Sequence, residues 1–141
     1  NVSKHPTLYQ QMLEEGHAVG NHAYHHETGI KTKTPDYIKS IMQCHELVHS
    51  DLFRPPHGRI KPQQIQILKN HFKIIMWSVL TYDFNQNITP EKCLENSIKN
   101  TKGGSIVVFH DNIKAEKNLK YALPLFLKHF TEKGFQFTTI K

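Results

Sequence analysis

Helical and strand-like segments alternate along the whole chain, and this alternation constrains the fold more than any other feature. Segments with helical spacing or helix-start residues begin near Thr7, Thr34, Lys61, Thr89 and Lys117. Strand-like segments follow them at residues 17–21, 52–53, 72–80, 105–109 and 135–140. Strict alternation is typical of right-handed βαβ units. The predicted fold class is therefore α/β, with about five parallel strands in one domain over residues 1–141.

The third strand-like segment, residues 72–80, is almost continuously apolar, so we expect one strand buried on both faces. Five strands are enough for an open sheet but not for a barrel, which normally needs about eight. The chain also opens with a helix and without Met, whereas a helix in such a fold normally follows a strand. We therefore expect a processed or truncated product whose first strands lie before residue 1.

The composition argues against two classes of partner. Lysine supplies 16 of the 18 positive charges, and these lysines are scattered, so we expect no nucleic-acid partner despite the net charge of +6. Lys73 and Ser78 interrupt the longest apolar stretch, which is too short for a membrane span. Cys44 and Cys93 both fall in predicted helices, which favours two buried thiols over a disulfide.

Polar residues follow four of the predicted strands. Because chemistry in parallel α/β folds gathers beyond the carboxyl ends of the strands, we expect these residues to share one rim. They are His22, His25 and His26 after the first strand, Arg54 and His57 after the second, Asp83 after the third, and His110 after the fourth. The alternation therefore predicts an active-site edge that is rich in histidine.

His22 and His26 are four residues apart, which on a helical turn would let both imidazoles bind one Zn²⁺-like ion. His25 competes for the same role. The alternative is that these are ordinary surface histidines, since a lone pair at this spacing is weak evidence. A catalytic zinc site usually has three protein ligands, and no third ligand is evident in this chain.

Asp83 and His110 suit an acid–base pair, in which the carboxylate orients the imidazole so that it can protonate a leaving amine. Arg54, stiffened by two prolines, suits a guanidinium that pairs with a carboxylate, and Gly58 lets backbone amides approach a ligand. The alternatives are a core histidine at a strand end and a surface arginine. No motif for a serine or cysteine nucleophile is present.

Four segments in this order resemble the motifs of the polysaccharide deacetylases, carbohydrate esterase family 4 with its NodB-homology domain. They are residues 20–26 (GNHAYHH), 54–58 (RPPHG), 77–84 (WSVLTYDF) and 106–111 (IVVFHD). The resemblance covers essentially the whole chain. It implies an incomplete, distorted (β/α) barrel of the polysaccharide deacetylase type and a divalent metal, usually Zn²⁺. It also implies hydrolysis of N-acetyl groups on peptidoglycan or chitin, or of O-acetyl groups on xylan.

The resemblance also implies a role for each matching residue. By position, His22 and His26 would be the metal ligands, and Arg54 would hold the catalytic base. The backbone N–H of His57 would stabilise the oxyanion. His110 would be the general acid, tuned by Asp83, and Phe84 and Val108 would line the acetyl pocket. The family's Thr-Phe-Asp-Asp motif, which supplies the base and the third metal ligand, is absent. Further departures are Leu80 in place of Asp, His25 in place of Ser or Thr, and Glu27 in place of Pro.

The prediction is therefore a metal-dependent polysaccharide deacetylase, secreted or in the cell envelope, whose missing strands leave an edge that promotes self-association. One alternative is a catalytically inactive, carbohydrate-binding remnant of the same fold. Another is a plain α/β domain in which Asp83 and His110 affect only stability.

Overall fold

The computed structural model describes residues 1–140 and has an α/β architecture. Its elements are α1 (Pro6–Glu14), α2 (Thr34–Val48), β1 (Leu52–Phe53), a 3-10 turn (Pro56–Gly58), α3 (Pro62–Leu68), β2 (Lys73–Ile74), β3 (Val79–Leu80), α4 (Pro90–Lys99), β4 (Val107–Val108) and α5 (Glu116–Glu132). The chain forms two compact units, one of Asn1–Met76 with the residues from Thr139 onward, the other of Trp77–Thr138.

All five predicted helices are present, and their starts follow from local chemistry. Four of them have a proline in the first turn, where its missing N–H costs no hydrogen bond. Thr89 caps α4, because its side-chain oxygen accepts a hydrogen bond from the Lys92 N–H at 3.2 Å. These signals lie within a few residues of each helix start, so the sequence alone was enough to locate the helices.

In the first unit, β1 and β2 form a parallel pair, with Leu52 opposite Lys73 and Phe53 opposite Ile74. The predicted strand at residues 17–21 is reduced to a single parallel bridge between Asn21 and Phe53. It is short because β1, its neighbour, has only two residues. The core beneath the pair consists of Ala23, Tyr37, Ile41, Phe53, Leu68 and Phe72.

The prediction of one buried strand over residues 72–80 is wrong. Lys73–Ile74 pairs with β1, whereas Val79–Leu80 pairs with β4, and the residues between belong to no strand. Pairing to β1 ends there because the prolines at 55 and 56 cannot donate to a ladder. The burial expected on both faces fails as well, since Lys73, Met76 and Ser78 are exposed.

In the second unit, β3 and β4 form the other parallel pair, and α4 packs along α5. The predicted strand at residues 135–140 is absent from the part of the chain that the structure describes. The alternating aromatics instead pack back on α5, since the Phe135 ring lies 5.0 Å from Phe130 and the Phe137 ring 6.0 Å from Phe126. The alternation of Phe135 and Phe137, which predicted a strand, thus reflects packing against α5.

The fold class and the state of the cysteines were both predicted from the sequence. Small parallel sheets between helices confirm the α/β class, while completion of a barrel stays a prediction. Both cysteines are free, with Cys93 buried and Cys44 half-buried. Among residues 1–140, no helix has the length and apolar character that crossing a bilayer would require.

Candidate active site

Backbone pairing positions His22 in the first unit. Asn21 donates its N–H to the Leu52 carbonyl at 2.7 Å, and the Arg54 N–H donates to the Asn21 carbonyl at 2.9 Å. This pairing brings the His22 ring onto the backbone of Arg54, where its Nδ1 lies 2.6 Å from the Arg54 carbonyl oxygen. Because a carbonyl only accepts, Nδ1 carries the proton and Nε2 keeps its lone pair.

The surroundings of His22 favour the neutral imidazole. Burial lowers the pKa of His22, and the hydrogen bond to the Arg54 carbonyl opposes this only in part. The charges of His26, Arg54 and His57 lower the pKa of His22 further. A neutral ring with a fixed tautomer is the form in which histidine binds a metal ion.

His22, His26 and His57 form what we term the histidine cluster. The ring centroids of His22 and His26 are 4.9 Å apart, and those of His26 and His57 are also 4.9 Å apart. The predicted helical turn is absent, because residues 22–27 form an irregular loop in which Ala23 and His26 have left-handed backbone conformations. His25, the competing candidate, packs its ring edge-on against Tyr24 instead.

The histidine cluster fits part of a divalent-metal site. Imidazole nitrogens suit Zn²⁺ and similar ions, and the His22 tautomer leaves a free donor atom for one. Over residues 1–140, however, no group of three or more His, Cys, Asp or Glu side chains is arranged to hold a metal ion. The ligand role of His22 and His26 therefore stays a prediction.

Arg54 is half-buried, and burial lowers the pKa of its guanidinium. Its Nε donates to the Ile75 carbonyl at 3.4 Å. No acidic side chain within residues 1–140 forms a salt bridge with Arg54, so its predicted pairing with a catalytic base stays a prediction.

The turn after Arg54 presents a backbone donor at His57. His57 has a φ of 58°, in the left-handed region, and Gly58 follows at 65°. The N–H groups of Gly58 and Arg59 bond to the carbonyls of Pro55 and Pro56, whereas the His57 N–H has no acceptor among the described residues. A free N–H in a rigid turn can stabilise an oxyanion.

The second unit contains the other predicted pair, Asp83 and His110, which we term the acid pair. Asp83 is fully buried, and the two residues meet at two points. The His110 ring Nδ1 lies 2.7 Å from Asp83 Oδ1, and the His110 backbone N–H donates to Asp83 Oδ2 at 2.5 Å. The His110 side chain is 33% exposed, so its Nε2 is left to act on a ligand.

Phe84 and Val108 lie beside the acid pair. The Phe84 ring stands edge-on to the His110 ring at 4.9 Å, and Phe84 itself is 36% exposed. Val108 is buried in β4, and its carbonyl accepts the Thr81 hydroxyl at 2.8 Å. The acetyl-pocket role of Phe84 and Val108 stays a prediction.

Strained backbone is concentrated in the predicted site segments. Five residues other than glycine have positive φ angles, and four of these lie beside or within the predicted motifs: Ala23, His26, His57 and Tyr82. The fifth, His49, simply ends α2. Such conformations cost free energy and are typical of functional sites, so this clustering argues against a domain with incidental histidines.

A comparison with protein-family models decides the family. The model described as polysaccharide deacetylase matches residues 1–72, which is half of the chain. The chain belongs to the polysaccharide deacetylase family. The match includes the histidine cluster and Arg54.

Individual relatives of this chain agree with the family. A peptidoglycan-N-acetylglucosamine deacetylase of Bacillus cereus is 26% identical over 99% of the chain and 54% of its own length. Chitin deacetylase 2 of Saccharomyces cerevisiae is 27% identical over 89% of the chain and 44% of its own length. The chain thus spans about half the length of these curated relatives.

A solved structure supports the same conclusion about the fold. The crystal structure of a peptidoglycan N-acetylglucosamine deacetylase in complex with 4-naphthalen-1-yl-N-oxidanyl-benzamide superposes with a TM-score of 0.91 at 26% identity. The match covers 99% of this deacetylase-family chain and 69% of that one.

Sequence reasoning missed two buried asparagines that hold the site segments of this deacetylase-family chain. Asn21 donates to the Ile41 carbonyl at 2.8 Å and accepts the Ala23 N–H at 3.0 Å, which fixes the His22 loop. Asn118 of α5 binds the segment that carries Asp83. Asparagine in a polar stretch gives no local signal of such a role.

Proposed function

We propose that this protein is a metal-dependent deacetylase that hydrolyses the N-acetyl group of N-acetylglucosamine units in peptidoglycan. Membership of the family and the names of the relatives support a polysaccharide substrate. The single observation that most supports catalysis is the acid pair, because a fully buried carboxylate contacts both the ring and the backbone of a partly exposed histidine. We also propose that the natural protein acts outside the cytoplasm, where its polymer is found.

His110 supplies the proton that the leaving group needs. Because Nδ1–H donates to Asp83, the proton to be transferred must reside on Nε2. Once water has added to the acetyl carbon and given up a proton to the base, the C–N bond breaks and its electron pair goes to nitrogen, which takes the His110 proton. The products are acetate and a neutral amine. The buried carboxylate of Asp83 stabilises the protonated ring before the transfer and keeps its orientation.

The histidine cluster and the turn after Arg54 act on the acetyl carbonyl in this proposal. His22 and His26 would hold a divalent metal, most simply Zn²⁺, and that ion would supply Lewis-acid polarisation of the carbonyl oxygen. The free N–H of His57 donates a hydrogen bond to the same oxygen as negative charge develops on it. The guanidinium of Arg54 would orient the carboxylate that serves as the base.

The test is acetate release from N-acetylglucosamine oligomers and from peptidoglycan by the full-length protein. We expect release that a chelator abolishes and Zn²⁺ restores, and a loss of about 100-fold or more in His110→Ala. His71→Ala is the matched control, because His71 is exposed and only its backbone is hydrogen-bonded. Binding of the oligomers with no release under any metal would instead support the inactive, carbohydrate-binding alternative.

A further inference from the structure

A buried amide of α5 holds the segment that carries the acid pair. Asn118 is 3% exposed and lies in the first turn of α5. Its Nδ2 donates to the Asp83 carbonyl at 2.9 Å and to the Asn85 carbonyl at 3.3 Å. Both hydrogens of one amide are therefore used on two carbonyls that flank Phe84.

The segment needs such an anchor because its own backbone supplies little support. Residues 81–85 belong to no helix or strand, and within the turn one backbone bond runs from the Asn85 N–H to the Tyr82 carbonyl. The other local bonds use side chains, since Thr81 Oγ1 accepts the Asp83 N–H and Asp83 Oδ1 accepts the Phe84 N–H. Tyr82 has a φ of 59°, which is strained for a tyrosine. A conformation of this kind persists only where contacts from elsewhere in the fold impose it.

The side chain of Asn118 is also costly as a packing residue. Its Oδ1 is buried and has no hydrogen-bond partner among the described residues. An apolar side chain of similar size would avoid this unpaired acceptor but would leave the Asp83 and Asn85 carbonyls without their donor. The two donated bonds therefore account for an amide at this position.

We propose that Asn118 is a positioning residue for catalysis, which holds Asp83 and Phe84 so that His110 keeps its orientation. This inference rests on the proposed function, since that function gives Asp83 and His110 their roles. Displacing the Asp83 carbonyl moves the carboxylate that accepts the hydrogen bond from the His110 Nδ1–H, and it moves the Phe84 ring that stands edge-on to His110. Misplacement of a catalytic group by about 1 Å can cost about 100-fold in rate.

The test compares three variants of the full-length, metal-loaded protein. Asn118→Leu removes both donors at similar volume, and Asn118→Gln keeps an amide on a longer side chain. Ser97→Ala is the matched control, because Ser97 is equally buried in the second unit but donates only to the Cys93 carbonyl of its own helix. Acetate release gives kcat and KM, circular dichroism gives the folded fraction, and NMR of the His110 Nδ1 proton reports its bond to Asp83.

We expect Asn118→Leu to lower kcat by about 10- to 100-fold with KM within about threefold, and to shift the Nδ1 proton resonance upfield. Asn118→Gln should recover part of the rate, and Ser97→Ala should change neither readout. Unchanged kcat and an unchanged resonance in folded Asn118→Leu would overturn the proposal. So would an equal loss in Ser97→Ala. If Asn118→Leu does not fold, Asn118→Ala replaces it, and the NMR readout remains decisive even if the wild type releases no acetate.

Discussion

Two histidines in this chain are fixed in the same tautomer but by partners of different charge. His22 donates Nδ1–H to a neutral backbone carbonyl, whereas His110 donates it to the buried carboxylate of Asp83. In both cases Nε2 is left for chemistry. A carbonyl partner, combined with burial that lowers the pKa of His22, favours a neutral ligand. The carboxylate partner of His110 instead holds its ring in one tautomer and orientation, as a general acid requires.

The acid pair predicts the effect of Asp83→Asn. Asp83 accepts hydrogen bonds from three N–H groups. In Asp83→Asn the negative charge that holds the His110 ring is lost, and the new NH₂ group faces at least one of these donors. We therefore expect kcat to fall by at least about 100-fold. The free energy of unfolding should also drop by about 2 kcal/mol. Asp111→Asn, at an exposed neighbouring carboxylate, should change neither quantity. Full acetate release by Asp83→Asn would contradict the assignment.

The two thiols, Cys93 and Cys44, should differ in reactivity. Burial, reinforced by the negative charge of Asp83, raises the pKa of Cys93 to about 11. Cys93 should therefore resist a thiol reagent at pH 8 until the protein unfolds, whereas half-buried Cys44 reacts first. The Cys93 thiol ionises at a lower pH in the unfolded chain than in the folded protein, so ionisation favours unfolding. The free energy of unfolding should therefore fall as the pH rises from the unfolded pKa of Cys93 towards 11. Equal reaction of both thiols in native protein would contradict this.

The proposed site residues come from two sequence signals, a position after a strand end and a match to the family's motifs, and their roles stay predictions. His22, His26, Arg54, His57, Asp83, Phe84, Val108 and His110 all came from such positions. Asn118 was not predictable, because its partners lie 33 and 35 residues away and a polar residue near a helix start usually faces solvent. Long-range hydrogen bonds leave no trace in a local pattern.

At the scale of elements, helices were predicted well and strands poorly, and the reason is the range of the bonds. A helix closes its hydrogen bonds four residues away, so periodicity, caps and prolines determine it. A strand needs a neighbour, and the neighbours of residues 72–80 change from β1 to β4 part-way along. Sequence composition could not show that exchange.

The cap of α4 gives a prediction at this scale. Thr89→Ala removes the side-chain acceptor of the Lys92 N–H, so the free energy of unfolding should fall by about 1 kcal/mol in urea denaturation. Thr34→Ala is the control, because Thr34 begins α2 without a side-chain cap. A loss of similar size in both variants would mean that the capping bond has no special contribution.

For the molecule as a whole, the sheets of the described residues are small. Each has two strands, so within the described residues each sheet leaves strand edges without partners. Open edges promote pairing with other chains. We therefore expect the 141-residue chain to self-associate, with a sedimentation coefficient that rises with concentration. A single monomeric species over the whole concentration range would count against this expectation.

In the proposed mechanism His110 protonates the leaving amine, and the most direct test compares two leaving groups in His110→Ala. An amide nitrogen needs a proton to leave, whereas the phenolate of an aryl acetate does not. For the full-length, metal-loaded protein, we predict a loss of about 100-fold or more on N-acetylglucosamine oligomers and less than about 10-fold on the aryl acetate. Equal losses on both substrates would contradict the role of His110 as the general acid.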